Sequence, residues 1–281
     1  MLGHVWCRRV LVVFMTQLLF ILLTLVIWYL ISDFILSSEF RDILFPEPHI
    51  VFSRLTDSNF RRDLMNATSS TAKTAAIGML IASVIGVVVA LAMATSKFLE
   101  KAIYPIAVIF QTVPVLALVP LISLWFRNQD TWFFWLNEDA KKKAVICVLI
   151  GIFPIVTNTF FGLQSVDKGL HEIFTLHQTG RWTRLRKLQI PASVPFMFVG
   201  FRIAAGLSVI GAIVSEFFFG KGGAGIGSFI DKSRGLADAS ALLIALIASS
   251  LIGVTSFLGF SLFGRLLTAR WLDVSGKNSL R

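Results

Sequence analysis

Few residues in this chain are of types that do chemistry, and their spacing argues against most catalytic readings. Gly220-Lys221-Gly222-Gly223-Ala224-Gly225 matches G-x-G-x-x-G. After a strand and before a helix, such glycines let backbone N–H groups close on a pyrophosphate. Here the motif follows a long apolar run, so it reads as a flexible turn and not as a dinucleotide site. No G-x-x-x-x-G-K-[ST] phosphate loop occurs, so the chain has no evident means of holding ATP itself. His4, His49, His171 and His177 form no ligand pattern, and Cys7 and Cys147 give neither a disulfide framework nor metal-ligand spacing. No catalytic constellation stands out. What remains are ionisable residues in unusual places: Glu216 and Arg202 within one apolar run, and Glu172 in a basic connecting segment.

The elements that must carry these residues are membrane spans. The chain has 281 residues, 56% hydrophobic and only 15% charged, with mean hydropathy +0.78. Soluble domains carry about 25% charged residues. Crossing a bilayer takes about 20 apolar residues, and such runs recur at roughly 10–32, 67–95, 102–126, 143–163, 194–218 and 241–268. The fold class expected is all-α and polytopic, with about six transmembrane helices; a β-barrel would show short alternating segments instead. Arg8 and Arg9 precede a first run that extends to about Ser32, too long for a signal-peptide core, so it reads as the first span. The net charge of +10 lies largely in the connecting segments, where topology and lipid headgroups account for it without nucleic acid.

The chain divides by sequence into a first span with a polar connection (1–66), a main transmembrane region (67–270) and a short polar tail (271–281). In the first connection, Phe45-Pro46-Glu47-Pro48 precedes a mixed stretch, Val51 to Leu64, that reads as an interfacial helix. The connection 127–142 is aromatic, with Trp132, Phe133, Phe134 and Trp135, and ends in Lys141-Lys142-Lys143. Basic residues are only slightly more numerous on one side of the spans. That bias favours both termini in the cytoplasm, with the segment Val166–Pro195 on the same side.

Within the spans, Pro105, Pro114, Pro120 and Pro154 each remove a backbone donor. Such losses are tolerated where neighbouring helices or a water-filled cavity satisfy the freed carbonyls. Pro114 and Pro120 therefore suggest a bent third span beside a pathway, or packing alone. A carboxylate inside a span is costly and often functional. Glu216 lies near the outer end of its run, where it could reach water, pack a gate or touch a substrate. Arg202, nearer the inner end, could snorkel or line a cavity.

The connecting segment Val166–Pro195 reads VDKGLHEIFTLHQTGRWTRLRKLQIPASVP. Leu170, Ile173, Phe174 and His177 fall at helical spacing and predict a short amphipathic helix around Gly169–Gln178. Glu172 is placed near its start, where a carboxylate suits the helix dipole, and Gly180 is a candidate C-cap or turn. Arg181, Arg184, Arg186 and Lys187 follow as a basic stretch. Pro191 stands where the chain turns back to the membrane, and Pro195 at the start of the next span. On physics alone, such a helix either lies on anionic headgroups or docks on a partner outside the bilayer.

This segment resembles the cytoplasmic EAA loop of ABC-importer permeases. Glu172-Ile173-Phe174 stands at the Glu-Ala-Ala of that loop, Leu188-Gln189-Ile190-Pro191 at its Ile-x-Leu-Pro, and Arg181-Trp182 matches a common form of it. The loop's glycine would fall at Gln178, with Gly180 two residues later, which leaves open whether the turn has shifted or its geometry has changed. Pro114-Val115-Leu116-Ala117-Leu118-Val119-Pro120 with Leu124-Trp125-Phe126 resembles the third span of the nitrate/sulfonate/taurine/bicarbonate-type permeases. Phe153-Pro154 through Asp167, and Ser215-Glu216 with Gly225-Ile226-Gly227, are similar to their later spans. The connection 127–142 is longer than the family's usual one. The resemblance implies a non-catalytic permease of type I importer architecture in a bacterial inner membrane, binding no cofactor itself. It implies ATP used by separate cytoplasmic ATP-binding subunits, a second permease subunit, and an extracytoplasmic solute-binding protein. It further implies a small polar solute such as nitrate, a sulfonate, taurine, bicarbonate or a pyrimidine precursor of thiamine. In this scheme Glu172, Ile173, Phe174, Gln178, Gly180, Arg181, Trp182 and Pro191 belong to the ATPase-coupling loop, and Pro114, Pro120, Glu216, Gly225 and Gly227 to the pathway or gate. A secondary transporter or channel would need mid-membrane ionisable groups, and few are present.

Overall fold

The computed structural model describes residues 2–34, 44–126, 138–220 and 223–276. The aromatic residues of the long connection (Trp132, Phe133, Phe134, Trp135), Lys221, Gly222 and the last residues of the tail lie outside the described residues. Among the described residues every regular element is helical. Five of these helices are long and apolar enough to cross a membrane, and a bent pair makes six where it is counted as one broken span.

The chain forms two compact units. The first comprises Met1–Met65 and Ile230–Ile247. It holds α1 (Leu2–Phe34), the short α2 (Pro48–Ser53) and a 3-10 turn at Arg54–Thr56. Pro48 opens α2 after Glu47, whose backbone is extended, as suits a residue ahead of proline. The Phe45–Pro46 carbonyls are tied to α1, because Trp28 Nε1 donates to Pro46 O at 3.1 Å and Ser32 Oγ to Phe45 O at 2.9 Å. Arg54 and Asp238 form an ion pair in the same unit. The interfacial helix expected at Val51–Leu64 does not form as one element. Asp57 takes an extended backbone and its Oδ1 accepts from Asn59 N at 2.9 Å, an N-cap that starts a new helix. Ser58 to Leu64 are therefore the first turns of the second span.

The second unit comprises Asn66–Phe229 and Ala248–Arg281. Its helices are α3 (Ser58–Thr95, entering at Asn66), α4 (Lys97–Thr112), α5 (Val115–Trp125), α6 (Glu138–Gln164), α7 (Lys168–Leu176), α8 (Arg181–Arg184), α9 (Ile190–Phe219), the start of α10 (Ile226–Gly235) and the later part of α11 (Ala239–Gly276). The central element is α6. Ile155 packs with Met79, Ala82, Ala204 and Ala205, Val156 and Phe160 with Ala90 and Met93, and Ile146 with Val119 and Ile122. Lipid supplies no hydrophobic drive between helices, so small residues that permit close approach decide such contacts. Cys147, fully buried, lies between two of them: a Cβ on Gly78 would stand 2.1 Å from Cys147 Cβ, and one on Gly211 2.9 Å from Cys147 Cα.

The helices refine or correct the expectations for several segments. The third span is bent, as expected, but at one proline and not at both: α4 and α5 are bent by 103° relative to each other, and the break falls at Val113–Pro114. Val113 is extended, because the proline ring disfavours helical backbone in the residue before it. Pro120 sits inside α5 without ending it. The chain does not turn at Pro191 either. A π-helical turn, Leu185–Gln189, carries α8 straight into α9, with Ile190 N–H bonded to Leu185 O. A wider turn there accommodates a proline whose ring would clash with the carbonyl four residues back. Finally, α6 starts at Glu138, so Lys141-Lys142-Lys143 belong to its first turns, with Lys142 Nζ 3.7 Å from Glu138. At the other end, α11 continues through Trp271 to Gly276.

Candidate functional site

The amphipathic segment forms α7, Lys168–Leu176, close to the predicted Gly169–Gln178. Its start is fixed by Asp167, whose Oδ1 accepts from Gly169 N at 2.7 Å. Glu172 is therefore mid-helix and not in the first turn, so the dipole argument belongs to Asp167 instead. None of the helix's residues is buried. Leu170, Ile173 and Leu176 are exposed, Leu176 to 81%, and Phe174 is half-buried. Trp182 on α8 is 70% exposed.

The end of α7 answers the question of the missing glycine. Gln178 has φ 49°, the left-handed region. Thr179 N–H bonds Phe174 O at 3.1 Å and Gln178 N–H bonds Thr175 O at 2.9 Å, the paired pattern of a Schellman C-cap. Thr179 Oγ1 adds a bond to Phe174 O at 2.8 Å. The turn has not shifted to Gly180. That residue has φ −63° and ψ 155° and caps the start of α8, conformations open to any residue, and a Cβ there would meet nothing within 4 Å. Gln178 thus adopts the backbone that a glycine would adopt at this place. Arg181 and Trp182 begin α8, and Arg184 Nη2 reaches back to Thr175 Oγ1 at 3.0 Å.

A second cluster surrounds Glu216. It does not reach water: its exposure is 0%. Thr71 Oγ1 of α3 donates to Glu216 Oε2 at 2.6 Å, and Gly227 N–H donates to the same oxygen at 3.3 Å. Ile226 N–H donates to Thr71 Oγ1 at 2.8 Å. Oε1 has no hydrogen-bond partner among the described residues. Gly225 is required by space: a Cβ there would lie 2.4 Å from Glu216 Cδ. Gly227 is likewise constrained, with Ile213 O 2.2 Å from such a Cβ. Burying a carboxylate is expensive unless donors meet it. Here it ties α3, α9 and the start of α10 together. Sequence reasoning placed Glu216, Gly225 and Gly227 together but missed Thr71, which is 145 residues away from Glu216 and sits in an ordinary Ser/Thr-rich stretch.

Pro114 and Pro120 mark the bend and the shaft of the broken span and do not join the Glu216 cluster's hydrogen bonds. Arg202 lies with its guanidinium carbon 5.1 Å from the Phe257 ring centroid. It borders a pocket of about 130 Å³ with Arg265 and Thr268. A larger pocket of about 440 Å³ is walled by Ala75, Met79, Ala205 and Phe260 and has no ionisable side chain in its lining. No group of three or more His, Cys, Asp or Glu that could hold a metal occurs among the described residues.

The comparisons with known proteins agree with this architecture. Residues 82–272 match the family described as binding-protein-dependent transport system inner membrane component. The riboflavin transport system permease protein RibX of Chloroflexus aurantiacus is 33% identical over 175 residues, 62% of this chain and 60% of that protein. The chain therefore matches less than two thirds of that relative's length. The formylaminopyrimidine transport permease protein ThiX of Halalkalibacterium halodurans is 30% identical over 242 residues, 85% of this chain and 89% of the relative. Among solved structures, a chain of the inward-facing MetNI methionine ABC transporter superposes with a TM-score of 0.62 at 15% identity, covering 75% of this chain and 99% of that one. That likeness concerns the fold. With a family match running from α3 through α11, this chain belongs to the binding-protein-dependent transport system inner membrane components, the permeases of ABC importers.

Proposed function

We propose that this chain forms half of the membrane pathway of an ATP-driven importer for a small polar solute. It would pair with a second permease subunit, most simply another copy of itself, and couple to separate cytoplasmic ATP-binding subunits through α7. An extracytoplasmic solute-binding protein would deliver the solute. The chain itself binds no nucleotide and catalyses nothing; ATP is consumed by the partner. The observation that carries this reading is α7 itself. It is a short helix capped at both ends, with Leu170, Ile173 and Leu176 uncovered, joined through Gln178 and α8 to the helix that enters the membrane. Pushed or pulled by a partner, such a rigid lever would transmit displacement directly to α9, as two-state rigid-body transitions require. Both termini and α7 lie on the cytoplasmic side in this reading. The substrate belongs to the group named by resemblance: nitrate, a sulfonate, taurine, bicarbonate or a thiamine-precursor pyrimidine.

The test is purification of the chain from its host membrane with neighbours attached. An ATPase subunit should co-purify, and uptake should stop when ATP is depleted. Recovery without any ATPase, with transport indifferent to ATP, would overturn the reading. Substrate-stimulated ATP hydrolysis by the assembled complex, measured over small anions and pyrimidines, then selects the solute.

A further inference from the structure

A polar cavity in the second unit joins Arg181 and Trp182 of the predicted coupling loop to residues of other elements that were not predicted to belong to a site. It has a volume of about 890 Å³ and is lined in part by Lys97, Glu100, His171, Arg181, Trp182 and Arg184. Its charge is unbalanced. Among the described residues neither Lys97 nor Arg181 forms an ion pair. Among the described residues the Arg184 guanidinium bonds only the Thr175 hydroxyl, and its Nε is buried without a partner. The one carboxylate in the lining, Glu100, accepts from Gln164 Nε2 at 3.5 Å and from none of the cations. A buried guanidinium N–H left unbonded is costly, and a fork of donors beside a lysine suits a phosphate. The cavity's depth in the membrane follows from its walls. It lies where α3 ends at Thr95, α4 begins at Lys97, α6 ends at Gln164 and α9 begins at Ile190. All but the start of α9, which α8 extends back to Arg181, are ends of helices apolar enough to cross a membrane or of the bent pair, and the ends of such helices meet the headgroup region. The exposed indole of Trp182 at the rim is the side chain enriched at that depth.

We propose that this cavity binds a phosphate-bearing anion, supplied by the headgroup of an anionic phospholipid, with Arg181, Arg184 and Lys97 as its cationic contacts. Because α7 and α8 contribute His171, Arg181 and Arg184, an occupant would brace the segment between α7 and the span that follows it.

The experiment is native mass spectrometry of the full chain in its purified complex, titrated with phosphatidylglycerol and, separately, phosphatidylcholine. Wild type should prefer phosphatidylglycerol. Arg181→Gln with Arg184→Gln should weaken that binding about twenty-five-fold, about fivefold for each cation removed at a membrane surface, with phosphatidylcholine unaffected. Arg184→Lys, which keeps the charge, should retain most of the affinity. Should the double variant fail to fold, Lys97→Gln alone decides, with about a fivefold loss expected. Competition by millimolar inorganic phosphate would support the phosphate site but move its source to the free ion; persistence of the lipid would support the headgroup. Equal binding of the two lipids, or unchanged affinity in the neutralised variants, would overturn the proposal. So would phosphatidylglycerol binding seen only after partner subunits are stripped away, since the cavity would then be a socket for protein.

Discussion

At the scale of single residues, two positions in the loop have opposite tolerances. Gln178 holds a left-handed backbone, which costs a non-glycine residue roughly 1–2 kcal/mol. Gln178→Gly should therefore preserve, and slightly stabilise, the turn, leaving substrate-stimulated ATP hydrolysis of the assembled complex intact. Gln178→Val should uncouple it, because a β-branched residue is strained at positive φ. Gly180→Ala should change neither, since its backbone is extended and its surroundings are open. The Glu216 cluster makes a second prediction. Glu216→Ala strands the Thr71 hydroxyl and the Gly227 N–H, and losing buried partners costs about 1–3 kcal/mol. Gly225→Ala forces a methyl group against the same carboxylate. Both should lower the melting temperature of the purified protein, and a Gly225→Ala variant as stable as wild type would show that the packing around Glu216 yields easily.

At the scale of elements, α7 and the broken span carry the testable content. Replacing Leu170 and Ile173 with serine removes apolar side chains that stay 46% and 49% exposed among the described residues. Membrane insertion and melting should be unchanged while ATPase co-purification falls. Glu172→Lys should weaken that association or separate hydrolysis from uptake. Unchanged co-purification in both variants would count against α7 as the docking element. For the broken span, Pro114→Ala lifts the restriction on Val113 and lets α4 and α5 approach one continuous helix. Spin labels placed one on each helix should then report a longer separation than the 103° bend allows, and uptake should fall. The amphipathic helix was legible because its apolar period is local. The end of α7 was not, since a left-handed glutamine has no distinct pattern in sequence. The π turn before Pro191 was equally hidden. The sequence signals a proline's missing donor, but whether the chain turns or the helix widens depends on what surrounds it.

At the scale of the whole molecule, the second unit is organised around α6, and its tightest point is Cys147 between Gly78 and Gly211. In a Cys7→Ser background the native protein should resist maleimide until denatured. Gly211→Leu should make the thiol react under native conditions, because the side chain cannot fit without separating α6 from α9. Labelling of the native Cys7→Ser protein at the denatured rate would show that the helices do not approach as closely as described.

The sequence by itself determined the class of the molecule, the order of its spans though not where the second and fifth begin, the loop helix and the resemblance that points to the family. The class, the spans and the loop helix rest on hydropathy or periodicity over a short window, which the solvent reads locally, and the family on the resemblance of quoted motifs such as Leu188-Gln189-Ile190-Pro191. Only the tertiary structure decided that Thr71 meets Glu216, that Gly78 and Gly211 close on Cys147, and that Lys97, Arg181 and Arg184 share one cavity. Those groups come from separate helices whose rotation and depth are set by packing. A side chain's partner across a helix contact is a property of that packing and leaves no periodic trace along the chain.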